Sequence, residues 1–156
     1  MDGPLSAEIV EDMDRTYTPS WIQLPPRGFG TRSQGKLSAD QWRVLCTVCM
    51  VFTLARLWGE ERHENHKFLR HFIKLVVVVT RATKRSISEE DIELISESMQ
   101  AYIQGAVDLF GKGILTINHH LTLHLPELLR QFGPVNGWWA FPFERYNGII
   151  QRYKNN

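Results

Sequence analysis

From Ser38 onward the apolar residues recur at helical spacing, and the polar ones mark where helices begin and end. Ser38 and Gln41 stand at capping-box spacing, in which each side chain satisfies a free backbone N–H of the first turn. Behind them 38–58 reads as a helix that is apolar on nearly every face (Trp42, Leu45, Cys46, Val48, Cys49, Phe52, Leu54, Leu57), the pattern of a central helix, with Gly59 as its stop. A second helix is predicted over 67–82, with an apolar stripe of Phe68, Phe72, Leu75, Val76 and Val79. The run of four valines within it favours a strand by propensity. The helical period continues through that run and includes residues outside it, so a helix is expected.

Ser88 opens the next helix, and Glu89, Glu90 and Asp91 suit the positive end of its dipole. Ile92, Ile95, Met99, Tyr102, Ile103, Ala106 and Phe110 form its apolar face, and Gly111 and Gly113 end it. A fourth helix is predicted over 115–125. Pro126 marks a kink or a restart that extends it to Phe132, because proline lacks the N–H that an unbroken helix needs. Residues 133–140 read as a loop, and Pro142 as the first residue of a last helix over 143–153. The expected fold is all-α, about five helices in one irregular bundle over 37–156, with no strand predicted. Ahead of it, 1–36 reads as an extended, acidic, Pro/Gly-rich lead-in, with prolines at 4, 19, 25 and 26. Gly28-Phe29-Gly30 falls in it without a preceding strand or a full phosphate-loop spacing, so a solvated linker is the better reading there.

At 156 residues and 43% hydrophobic, the chain suffices for one domain with a sizeable core. The formal net charge of +1 speaks neither for nor against a nucleic-acid partner, but its distribution is uneven. Residues 1–14 are acidic without a Lys or Arg, 62–85 are strongly basic, and 88–108 are acidic again. Cys46 and Cys49 are the only cysteines; a bond between them would close too small a loop to stabilise much, so reduced, intracellular thiols are expected. No secretory leader is recognised, and the longest apolar run, 75–79, is far too short to span a bilayer.

The most distinctive stretch is NHHLTLHLPELLRQFGPVNGWWAFPFERYNGIIQRYKNN, residues 118–156. With His120, His124, Gly133, Pro134, Trp138, Trp139, Phe141, Pro142, Phe143, Glu144, Arg145, Tyr146, Asn147 and Gly148 in this order, it resembles the domain of unknown function found with CACTA (En/Spm-like) transposases of plants and basidiomycete fungi. The earlier GKLSADQWR, residues 35–43, is similar to the segment that joins the transposase body to that domain. The resemblance covers roughly 21–156. It implies a transposon-derived fragment that stops short of the family's C-terminus and lacks the transposase body, and a nuclear location if it takes part in transposition. It implies no known activity, because the domain is uncharacterised.

Four groups of residues are candidates for chemistry. Transposases of the RNase H type hold two divalent ions with three carboxylates, the last commonly on a late helix, and Glu144 occupies such a position. The plainer reading of Glu144 is a cap or an ion pair with Arg145 or Arg152, and no paired aspartates stand upstream. Cys46, Cys49, His120 and His124 form a Cys-x-x-Cys and His-x-x-x-His set of zinc-ligand type, although more than seventy residues separate the pairs. Against it stands a core role for the cysteines and a polar role for the histidines under the tryptophan pair. Trp138, Trp139, Phe141, Phe143 and Tyr146 could stack bases, but aromatic clusters more often form core and interface anchors. Lys67, Arg70, Lys74, Arg81, Lys84 and Arg85 form a basic stripe that could track a phosphate backbone, or face solvent, or pair with the acidic helix that follows. No small-molecule substrate is evident. The expectation is an accessory module, without activity of its own, that packs on a transposase body or contacts DNA.

Overall fold

In the computed structural model, which describes residues 4–31 and 33–150, every regular element is helical. The side chains of Phe141, Pro142, Glu144 and Arg145 lie outside the described ones. No described helix is long and apolar enough to cross a membrane. The chain forms two compact units, one of residues 1–53 with 139–156, the other of residues 54–138.

In the first unit the chain begins with α1, Pro4–Arg15. Here the expectation of an extended lead-in is corrected. Leu5, Ile9 and Met13 stand at i, i+4 and i+8; Ile9 and Met13 are buried, and Leu5 packs against the same core. That short stripe drives the helix despite its acidic surroundings. Pro4 at the first helical position costs no hydrogen bond. The segment after α1 has no regular structure but is anchored: Ile22, Leu24 and Leu37 pack against the core, and Phe29 is buried within it. Gly28-Phe29-Gly30 is therefore a core anchor and not a solvated linker.

Ala39–Val44 (α2), a π turn at Leu45–Cys49 and Met50–Trp58 (α3) follow one another without a break. The capping box forms as expected: the Ser38 N–H donates to Gln41 Oε1 at 2.9 Å, and the Gln41 N–H to Ser38 Oγ at 3.3 Å. The π turn was not foreseen. It lies where the Thr47 hydroxyl donates back to the Arg43 carbonyl, at 2.8 Å, and the Thr53 hydroxyl to that of Cys49, at 3.2 Å. Such back-bonding competes with the regular ladder and accompanies helix irregularity. Val44, Leu45 and Cys49 are buried in the first unit's core, whereas Trp42 and Phe52 are exposed, so the helix is not apolar-packed on every face as its sequence suggests. Phe141–Ile150, α8, also belongs to this unit.

The second unit is built on α4, His66–Ala82, and α5, Glu89–Phe110. Phe68 meets Phe110, His71 meets Tyr102, and Arg81 meets Asp91, so the two run antiparallel. Val78, Ala82, Ile92, Ile95 and Met99 are the core of this pair. The face of α4 that turns inward is 68, 71, 75, 78 and 82; Phe68 and Leu75 of the predicted stripe lie on it, while Phe72, Val76 and Val79 are half-buried beside it. The predicted stripe is off-centre because His71 occupies a core position and reads as polar. Gly111 closes α5 with φ +82, a backbone that side chains with a Cβ seldom adopt.

The predicted helix over 115–125 is shorter and divided: a 3-10 turn at Lys112–Ile114, then Ile117–Thr122 (α6), then Leu125–Phe132 (α7). Pro126 acts as the start of a new helix. Leu129 is buried in the α4–α5 core with Leu125 against it, and Arg130 Nε donates to Glu89 Oε1 at 2.8 Å.

Candidate functional site

The basic stripe separates into two groups. Arg81 Nη1 lies 2.8 Å from Asp91 Oδ1, and Lys84 Nζ lies 2.7 and 2.8 Å from the two oxygens. The same carboxylate takes part in the capping box of α5, its Oδ2 accepting from the Ser88 N–H at 3.4 Å and also from the Ser88 hydroxyl at 3.2 Å. Hydrogen bonding from Lys84, and then, against the opposing effect of burial, from Arg81 and the Ser88 N–H, holds the Asp91 carboxyl well below the usual carboxylate range. Lys74 Nζ donates to the Ala101 carbonyl at 3.2 Å. Half of the stripe thus ties α4 to α5, which is the pairing with the acidic helix that the sequence left open. Lys67, Arg70 and Arg85 are exposed, with Lys67 Nζ 5.2 Å from the centre of the Phe68 ring.

The six histidines differ in what their rings do. His66 Nδ1–H donates to the Trp58 carbonyl at 2.9 Å, and His63 Nδ1 accepts from the Asn65 N–H at 3.1 Å. His119 Nδ1 accepts from the Thr116 N–H at 3.1 Å and so caps α6. His71 is buried, stacked on Tyr102 at 4.5 Å and edge-on to Phe110 at 6.0 Å, and its Nδ1 has no hydrogen-bond partner. Burial first, and the Lys74 charge second, lowers its pKa, so the ring is held neutral. It also sets a steric limit: a Cβ on Gly105 would stand 2.8 Å from His71 Nδ1. His120 and His124 are exposed and face each other, edge to face, with centroids 5.3 Å apart.

No family model, curated protein or solved structure matches the chain. The residues themselves therefore carry what can be said of function.

The proposed zinc ligands lie in different units, Cys46 and Cys49 in the first, His120 and His124 in the second. Both cysteines are free thiols whose pKa is raised, chiefly by burial, which disfavours the thiolate that a metal needs. Among the described residues no group of three or more His, Cys, Asp or Glu side chains is arranged to hold a metal ion. The Glu144 side chain, the candidate third carboxylate, lies outside the described residues, as do those of Phe141, Pro142 and Arg145.

Among the described residues the aromatic cluster is not gathered into a core. Phe143 and Tyr146 are exposed on α8 together with Ile149 and Ile150. Trp138 is held at its polar edge, Nε1 donating to the Gly133 carbonyl at 3.1 Å, and its ring meets Phe132 at 6.5 Å. Gly133 ends α7 with φ +73, and Pro134 leads into a 3-10 turn at Val135–Gly137, so this part of the motif shapes a turn. Asn147 and Gly148 lie within α8.

The feature that the sequence did not announce is the exposed apolar run after α5. Phe110, Ile114, Leu115, Ile117, Leu121 and Leu123 are all substantially exposed. Ile117 and Leu121 stand one turn apart on α6, on the same face. The only prior signal was that predicted helix 115–125 has more apolar residues than one face can hide. In the first unit, a shallow crevice with room for about one water molecule is lined by Asp12, Met13, Thr16, Leu24, Val48, Cys49 and Phe52, with no convergent set of polar groups.

Proposed function

We propose that this chain is a helical accessory module of transposon origin that works by packing against another protein, a transposase body in its native setting, and carries no catalysis of its own. The origin rests on the resemblance of residues 118–156. The mode of action rests on one observation, the six large apolar side chains exposed between Phe110 and Leu123. Concentrated exposure of this kind marks interaction surfaces, because water-exposed apolar area is costly and is relieved by a partner. DNA tracking is the weaker reading, since Lys74, Arg81 and Lys84 are engaged within the fold.

Sedimentation velocity of the purified chain tests this. The wild type is expected to associate as concentration rises, and Ile117→Glu with Leu121→Glu to stay monomeric with an unchanged thermal transition. A wild type that remains monomeric throughout, yet binds duplex DNA with a steep salt dependence lost in Lys67→Glu/Arg70→Glu, would replace packing by DNA contact.

A further inference from the structure

The exposed apolar run after α5 has an order that defines what fits it. His119 stacks on Tyr102 of α5, with centroids 6.4 Å apart, and so marks the inward side of α6. Thr122, three residues on, is half-buried with it. Ile117, His120, Leu121 and His124 are exposed and stand at i, i+3, i+4 and i+7, the spacing of one helix face. That spacing holds across the break between α6 and α7, because Leu123 and His124 keep helical backbone angles. The outward face is thus two aliphatic side chains flanked by two imidazoles.

Charge around this face is one-sided. No carboxylate occurs between Asp108 and Glu127. Asp108 accepts from Gln104 Nε2 at 2.8 Å, and Glu127 stands 3.5 Å from His124 Nδ1, so the acids that bound the run are engaged within the chain. Lys112 and Lys67 border the Phe110 end. Lys112 opens the 3-10 turn just after Phe110, and Lys67 Nζ lies over the Phe68 ring, which stacks on Phe110 at 5.8 Å. Both lysines are exposed, and among the described residues neither forms an ion pair.

We infer that this face docks an acidic amphipathic helix of a partner protein. Aliphatic side chains one turn apart on that helix pack between Ile117 and Leu121, and carboxylates on its flanks accept from Lys67, Lys112 and the His120 and His124 rings. The inference rests on the accessory reading above and adds the partner's chemistry to it. The described elements offer no strand edge to extend, so helix against helix is the mode that remains. A lipid surface fits less well, because α6 has six residues and neither lysine nor arginine. Nucleic acid fits less well too: two cations at one end make no track for phosphates, and the centre is apolar.

The test is fluorescence anisotropy of a fluorescein-labelled helical peptide of leucine and glutamate, with leucines at i, i+3 and i+4, titrated with the full chain below its self-association range. The controls are the same peptide with lysine for glutamate, and a scramble of the first. The glutamate peptide is expected to bind more tightly than either control, and Ile117→Glu/Leu121→Glu to abolish binding. Lys67→Glu/Lys112→Glu should weaken the glutamate peptide about 10-fold and strengthen the lysine one, a reversal that misfolding does not produce. Equal binding of the two peptides, or an unchanged preference in the charge-reversed variant, would overturn the acidic partner. So would a chain that self-associates through Ile117 and Leu121 yet ignores the glutamate peptide, but the packing surface would then stand, with a second copy as its occupant. A chain that neither associates nor binds would remove both readings. Tighter binding to phosphatidylserine vesicles than to the peptide would make the face a lipid contact instead.

Discussion

The α4–α5 pair and the segment from Phe110 to Leu123 lie next to each other in sequence and treat their side chains in opposite ways. The pair hides even its polar groups: Asp91 and His71 are buried, the first answered by Lys84, Arg81 and Ser88, the second set in a ring stack. The segment exposes even its apolar ones. One region is finished by its own chain, and the other presents a surface. The difference teaches where to look for function. Buried polar residues, which often signal an active site, here serve to fasten two helices, while the surface that asks for an explanation carries isoleucine and leucine.

The sharpest way to break this contrast is to truncate an isoleucine on each side. Ile95 is fully buried in the α4–α5 core. Ile95→Ala removes its packing and leaves a cavity, so a loss of about 2–5 kcal/mol is expected in urea unfolding. Ile117→Ala removes the same atoms from an exposed site and should shift stability by less than about 0.5 kcal/mol. Comparable losses would mean that the segment is core, and the proposed docking surface would be gone.

A smaller effect sharpens the contrast within the pair. Gly105 sits in the middle of α5, where alanine would ordinarily gain about 1 kcal/mol in helix propensity. Its Cβ would meet the His71 ring at 2.8 Å, however, and that ring is pinned by Tyr102 and Phe110. Overpacking a fixed neighbour costs about 1–3 kcal/mol. The balance is a net loss, expected as a lowered Tm for Gly105→Ala that Gly105→Ala/His71→Ala partly recovers. A raised Tm in the single variant would show that His71 moves aside freely.

The hydrophobic pattern made α5 legible from cap to stop, because its stripe is unbroken and Ser88 and Gly111 bound it. Where a polar residue takes a core position, as His71 does, the period remains visible but its phase slips. The stripe of α1 was present in Leu5, Ile9 and Met13, yet it was outweighed by the proline, glycine and acidic residues around it. The π turn at Leu45–Cys49 was not legible, since it is a choice among backbone acceptors and apolar spacing does not record it. His-x-x-x-His states a shared face, and His120 and His124 do meet there, but spacing alone does not show that Glu127 stands beside His124. The exposed run from Phe110 to Leu123 was hidden for a simple reason: apolar residues at helical spacing look the same whether the chain covers them or leaves them for a partner.

The mildest perturbation concerns the buried imidazole itself. His71 faces Lys74 on its own helix and Tyr102, Gly105 and Phe110 on α5, with no carboxylate against it to welcome a proton. Its folded pKa lies below the ordinary imidazole value of about 6.5. Below that pH the unfolded chain takes up the proton more readily than the folded one, so the stability that the neutral ring contributes is full above it and declines as pH falls through the folded pKa. His71→Phe keeps a planar ring against Tyr102, removes the titration, and removes the unpartnered Nδ1. The variant's Tm should match or slightly exceed that of the wild type at pH 8. Between pH 7 and pH 5 the wild type should lose more, so the two curves diverge toward acid. Parallel curves would mean that His71 accepts its proton without disturbing the α4–α5 pair, and that even at this position the pair is less closed than its geometry indicates.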